Sequence, residues 1–205
     1  MPLVDECILI IEVEVARIKS QDKRNAILGA ATKVFAERGL SAATSAISAA
    51  AGIAEGTLFT YFTTKDELVN ALYREIKLEL ADAMMSAFPR KKSVRSRLQH
   101  IWNQYIEWGL KNPMQQGVLR QVLVWNGLTQ ESKKAGSAPF LEIESMIEEA
   151  ERQRIVQDLP RPFIEMTLVA LADTVMELVR QDAKRAGIYC AAGFEMLWGG
   201  IARKQ

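Results

Sequence analysis

The chain has 205 residues, 49% of them apolar and 25% charged, the make-up of an ordinary globular protein with room for one large domain or a small one joined to a larger one. A formal net charge of +1 excludes attachment to nucleic acid or to an anionic membrane through bulk charge, so any DNA-binding role must come from a local surface. Two distant cysteines, Cys7 and Cys190, and one histidine, His100, leave no disulfide framework and no metal-ligand spacing, which points to a reducing cytoplasm.

The opening "MPLVDECILIIEVEVARIKSQDKR" carries Asp5, Glu6, Glu12 and Glu14 and no basic residue before Arg17. It lacks the positive start of a signal peptide, and Ile8–Ile11 is far below the roughly 20 residues of a membrane span. Organised helical spacing begins near Ser20, so residues 1–19 are expected to be an extension outside the fold, with the first helix over 22–38. Ile27, Ala31, Val34 and Phe35 share one face of that helix, and Gly39 ends it.

"TSAISAAAG" follows, with Thr44 as expected N-cap, a small apolar face at Ile47, Ala50 and Ala51, and Gly52 as its stop. Two short helices around Gly52 make a helix-turn-helix layout, and the tight reversal calls for positive φ at the glycine. In the second helix, about 56–63, Thr57, Thr60 and Tyr61 put hydroxyls on one face, while Leu58, Phe59 and Phe62 are expected to point inward. Gly56, in its first turn, leaves room for close approach of a phosphate or groove wall. Thr64-Lys65-Asp66-Glu67 has the capping-box pattern and opens a long helix over 65–88, whose N-terminus beside Lys65 suits a phosphate.

The basic run "PRKKSVRSR" reads as a solvated connection. Pro113, Gly127, Pro139 and Pro160 then divide the chain into helices near 93–111, 113–126, 139–154, 160–181 and 184–203. The expectation is an all-α chain of about nine helices. A three-helix head over 20–66 would join a larger helical body over 67–205 inside the long helix, with no flexible linker. No Gly-rich phosphate loop beside a strand, nucleophile elbow or carboxylate–histidine set is present, so no enzyme, catalytic residue, cofactor or metal site is expected.

"ILGAATKVFAERG" and "TSAISAAAGIAEGTLFTYFTTKDEL" together resemble the DNA-binding signature of the TetR family of transcriptional regulators. Further on, "IWNQYIEWGLKNP" and "RAGIYCAAGFEMLW" are similar to the RamR-like, multidrug-responsive branch of that family. The resemblance implies that Thr44 and Ser45 meet phosphates, that Thr57 and Thr60 face base edges, and that Tyr61 and Lys65 clamp the backbone. Many members have tyrosine where Phe59 stands, and the recognition face lacks Arg, Asn and Gln, the usual bidentate readers. Between Ser20 and Leu68 five basic residues (Lys23, Arg24, Lys33, Arg38, Lys65) face five acidic ones (Asp22, Glu37, Glu55, Asp66, Glu67). A neutral head of this kind would depend on dimerisation and a near-palindromic operator.

The last two helices are apolar nearly all round, from Met166 to Val179 and from Ile188 to Ile201, which serves either a monomer core or a dimer interface; the resemblance favours a homodimer. Trp102, Tyr105 and Trp108, with Tyr73 on the preceding long helix, form a core stripe or the wall of an effector cavity. Glu165 is a partner for a cationic ligand or a solvated residue, and Leu168 stands where the multidrug-responsive pattern has an aromatic. The function implied is a ligand-responsive homodimeric repressor of efflux or drug-response genes, released from DNA by a small hydrophobic or cationic effector; a DNA-binding regulator without a ligand is the alternative.

Overall fold

The computed structural model describes residues 3–203, with side chains from Ser20 onward. Among the described residues ten α-helices run in chain order: α1 Leu3–Arg38, α2 Thr44–Ala50, α3 Glu55–Tyr61, α4 Lys65–Met85, α5 Val94–Lys111, α6 Pro113–Leu123, α7 Gln130–Ser137, α8 Leu141–Arg152, α9 Arg161–Gln181 and α10 Ala186–Ile201. The chain is all-α as expected, and α7 is the helix beyond the nine anticipated. α1 starts at Leu3 and not near Asp22; the side chains of the expected extension lie outside the described residues. Among the described residues no helix is long and apolar enough to cross a membrane.

Two compact units divide the chain, Met1–Tyr73 with Gly117–Thr129, and Arg74–Gln116 with Gln130–Gln205. In the first, Ile27, Ala31 and Phe35 of α1, Ile47 of α2, Leu58 of α3 and Leu68 of α4 are each 0% exposed. Their four-residue spacing within α1 places them on one stripe, and α2 packs on α1 while α3 packs on α2. Gly39 (φ +79°) ends α1 and Gly52 (φ +67°) ends α2. At the second of these the Gly52 N–H donates to the Ala49 carbonyl at 3.2 Å and the Ile53 N–H to the Ser48 carbonyl at 3.0 Å, the paired bonds of a Schellman cap.

Residues 117–129 join this unit through side-chain amides. The Gln121 amide donates to the Phe35 carbonyl at 3.2 Å and accepts from the Leu40 N–H at 3.1 Å. Asn70, only 4% exposed, donates to the carbonyls of Asp66 (2.9 Å) and Gly127 (3.0 Å), and its oxygen accepts from the Thr129 N–H (3.0 Å) and hydroxyl (3.2 Å). A buried amide with both ends satisfied fixes α4 against the 127–129 loop.

In the second unit α5, α9 and α10 pack on one another. Trp102, Met176 and Phe194 are fully enclosed there. Two glycines permit the closeness: an added Cβ would lie 2.3 Å from Met176 Sδ at Gly109, and 2.7 Å from both Trp102 Cζ2 and Val175 Cγ2 at Gly193. Val94, Ala150 and Val156 form a smaller cluster, with Ile155 and Trp198 against it. There the chain end is tied down by the antiparallel bridge Val156–Ala202, with the Gln157 N–H donating to the Ile201 carbonyl at 2.8 Å and the Arg203 N–H to the Ile155 carbonyl at 3.0 Å. The basic run is exposed at Arg90, Lys91 and Lys92. Arg90 pairs with Glu142 at 2.7 Å and Arg95 with Glu195.

Candidate nucleic-acid interface

Of the predicted DNA-facing residues, Thr44 and Ser45 lie on α2, Gly56, Thr57, Thr60 and Tyr61 on α3, and Lys65 at the start of α4. The N-cap of α2 is Ala43 (φ −70°, ψ 147°), with no side-chain cap, so Thr44 is the first helical residue and not the cap expected of it. Its hydroxyl is drawn elsewhere, donating to Glu55 Oε1 on α3 at 2.7 Å. Ser45 is exposed, and its carbonyl accepts from the Ser48 hydroxyl at 3.1 Å.

Gly56 is exposed, and an added Cβ there would meet nothing within 4 Å. Thr57 and Tyr61 are half-buried; Thr60 is exposed, its hydroxyl donating back to the Gly56 carbonyl at 3.1 Å. Leu58 (0%) and Phe62 (3%) are core residues, but Phe59 is 40% exposed. This corrects the inward orientation expected for Phe59: in a seven-residue helix the Leu58 face is filled, and the position one step on turns outward.

α4 begins with a modified capping box. The Glu67 N–H donates to Thr64 Oγ1 at 3.0 Å, as expected of an N-cap threonine. The Glu67 carboxylate reaches one residue further back than expected, accepting from the Thr63 N–H at 2.7 Å and the Thr63 hydroxyl at 2.6 Å. Lys65 is half-buried, its ammonium 6.0 Å from the centroid of the Phe35 ring. These positions therefore combine hydroxyls, an exposed ring, a tethered lysine and the carboxylates of Glu67 and Glu55, the second of which, on Thr44, the sequence reading missed.

Residues 27–72 match the model of "Bacterial regulatory proteins, tetR family". That match takes in α2, α3 and the adjoining parts of α1 and α4. Among curated proteins, the uncharacterised HTH-type transcriptional regulator YhgD of Bacillus subtilis (strain 168) is 32% identical over 84 residues. That match takes in 38% of this chain and 44% of YhgD, so the chain spans less than half the length of that relative. A TetR-family regulator from Marinobacter aquaeolei VT8 superposes with a TM-score of 0.82 at 20% identity, over 92% of this chain and 100% of the other. The TetR-like regulator LfrR of Mycobacterium smegmatis, solved in complex with proflavine, superposes with a TM-score of 0.62 at 22% identity, over 89% and 99%. The TetR-type fold thus extends through the body as well as the head.

Of the effector-site candidates in this TetR-type fold, Tyr73 lies in the first unit and is 5% exposed. Trp102, Tyr105, Glu165 and Leu168 belong to the second. Trp102 is 0% exposed, with its indole N–H donating to the Cys190 carbonyl at 3.0 Å. Tyr105 is buried, Leu168 half-buried and Glu165 exposed. Opposite Glu165 stands Lys77, which the sequence reading did not single out. Burial pushes its ammonium down to about 8, against the pull of Glu165 and Glu144, and it lies 4.0 Å from the centroid of the Phe140 ring. An inward lysine on an amphipathic helix leaves no separate mark in the sequence. His100 is half-buried, its ring nitrogen donating to the Met84 carbonyl at 3.2 Å.

Proposed function

We propose that the protein is a homodimeric transcriptional repressor that binds a near-palindromic operator and leaves it when a small hydrophobic or cationic effector enters the body, controlling efflux or drug-response genes in the cytoplasm. The observation that carries this reading is a tetR-family head whose α2–Gly52–α3 reversal presents an exposed polar surface. Residues 20–66 act as the DNA-binding domain and residues 67–205 as the effector and dimerisation domain. Thr44, Ser45, Gly56, Thr57, Thr60, Tyr61 and Lys65 meet DNA, with Lys65 and the hydroxyls on phosphates. Modest charge on each head makes two linked half-sites necessary.

Dimerisation is supported by the outer face of α9 and α10, where Phe163 (59%), Met166 (74%), Ile188 (66%) and Met196 (67%) remain exposed. Gly187, Gly199 and Gly200 on α10 are exposed with open space at the Cβ position, so a second backbone has room to approach. Exposed apolar surface of this kind marks an association site. An effector of cationic, planar type is supported by LfrR, and Trp102, Tyr105, Glu165 and Leu168 of the second unit are the residues assigned to it here. The effector must bind the DNA-incompetent state better than the other, since equal affinity shifts nothing.

The alternative, a regulator without an effector, draws on Trp102, which is fully enclosed and has spent its polar tip on Cys190. The test is mobility shift on the DNA upstream of the protein's own gene, with and without proflavine as probe. Retarded DNA released by proflavine supports the full reading, and retardation that proflavine and other planar cations leave unchanged supports the alternative. The Thr60→Ala/Tyr61→Ala protein should lose the shift while still sedimenting as a dimer; an unchanged shift removes the assignment of the interface.

A further inference from the structure

Building on the DNA-binding reading above, we infer that Glu55 is a specificity-determining residue that reads a cytosine in the major groove. α3 has the sequence EGTLFTY, and most of its polar capacity is already committed. The Thr60 proton is spent on the Gly56 carbonyl, Thr57 and Tyr61 are half-buried, and Leu58 is core. Glu55 is the one charged side chain on the helix. It is exposed, and its chain is longer than that of either threonine.

The carboxylate is also held in place. Thr44, the first residue of α2, donates to Oε1 at 2.7 Å, which orients the group without neutralising it and leaves Oε2 open. A carboxylate carried into a groove lined with phosphates is repelled unless it finds a donor there. Of the major-groove edges, guanine offers only acceptors and thymine an acceptor and a methyl group. Adenine places its N7 acceptor beside its amino group, and cytosine presents the N4 amino group alone. Glu55 therefore accepts from cytosine N4 and rejects the other bases mainly by repulsion, so specificity arises as much from exclusion as from attraction. A seven-residue α3 with a carboxylate in its first turn is also stabilised by that charge, and the experiment must separate this role from base reading.

The full-length protein and its Glu55→Gln and Glu55→Ala forms are each used to select binding sites from a randomised duplex library, with folding followed by circular dichroism. The expected result is a two-fold symmetric site from the unaltered protein with cytosine at one position of each half, preferred by about tenfold. Glu55→Ala should lose the preference at that position alone. Glu55→Gln should move it toward adenine, because an amide pairs with adenine N6 and N7. A cytosine preference that survives in Glu55→Ala overturns the inference, as does a loss of preference spread evenly over the whole site, which assigns Glu55 to holding α2 and α3. Should the unaltered, folded protein enrich no sequence, the DNA-binding reading itself fails.

Discussion

Gly193→Ala tests the tightest helix contact in the second unit. The added methyl group would lie 2.7 Å from both Trp102 Cζ2 and Val175 Cγ2, and 3.3 Å from Trp102 Cη2. Neither neighbour has room to yield: Trp102 is 0% exposed and anchored through its indole N–H to the Cys190 carbonyl, and Val175 is 5% exposed. Overfilling a packed core costs about 1–3 kcal/mol, while replacing glycine by alanine within a helix returns about 0.8–1 kcal/mol. The net expectation is a loss of up to about 2 kcal/mol, read from denaturant midpoints at fixed protein concentration. Val175→Ala removes one of the two clashing groups, so the cost of Gly193→Ala in that background should fall by about 1 kcal/mol in a double-mutant cycle. A stabilised Gly193→Ala protein, or an effect of Gly193→Ala that is the same in the Val175→Ala background, would refute the packing argument.

Asn70→Ala removes four hydrogen bonds and leaves the Gly127 carbonyl and Thr129 N–H without this partner; a loss of about 2–4 kcal/mol in denaturant unfolding is expected. Arg154 sits at φ +57° as the left-handed residue after α8, so Arg154→Gly should gain about 0.5–1 kcal/mol, seen as a higher Tm. Lys77 has its folded value lowered to about 8, whereas an unfolded lysine keeps its proton to about 10.4. The unfolded chain therefore binds more protons between those pH values, and stability rises with pH across that window. Lys77→Met should abolish the rise and increase stability at pH 7, which urea unfolding midpoints at pH 7, 9 and 10.5 will check.

The fold class was legible because the head carries strong local signals. Ile27, Ala31 and Phe35 repeat at helical spacing, and Gly39 and Gly52 stand where positive φ ends α1 and α2. α7 was not legible, because its buried residues are Ser132 and Gly136 and hydrophobic spacing cannot register a face made of small residues. The attachment of residues 117–129 to the first unit was equally hidden. It runs through Gln121 and Asn70, whose partners lie up to 86 residues away and leave no periodic trace. Within the interface, hydroxyl positions were readable but their partners were not. Thr44 looked like a cap until Glu55, eleven residues on, proved to hold its proton.

That last correction changes how the interface should act on DNA. The hydroxyls of Thr44 and Thr60 already donate within the head, to the Glu55 carboxylate and the Gly56 carbonyl. A phosphate or base edge therefore gains their protons only by exchanging one hydrogen bond for another, and such exchanges yield small net free energies. Lys65 is shared with the Phe35 ring in the same way. With no surplus cation on the head, electrostatic attraction contributes little beyond a few phosphate contacts, and the salt dependence of binding should be shallow. In the proposed dimer, discrimination would then fall to groups that reject wrong sequences, with Glu55 the one inferred above, and affinity to the simultaneous engagement of two heads. The proposed function then requires that a lone head bind DNA weakly, and that an effector alter only the spacing between two heads to release it.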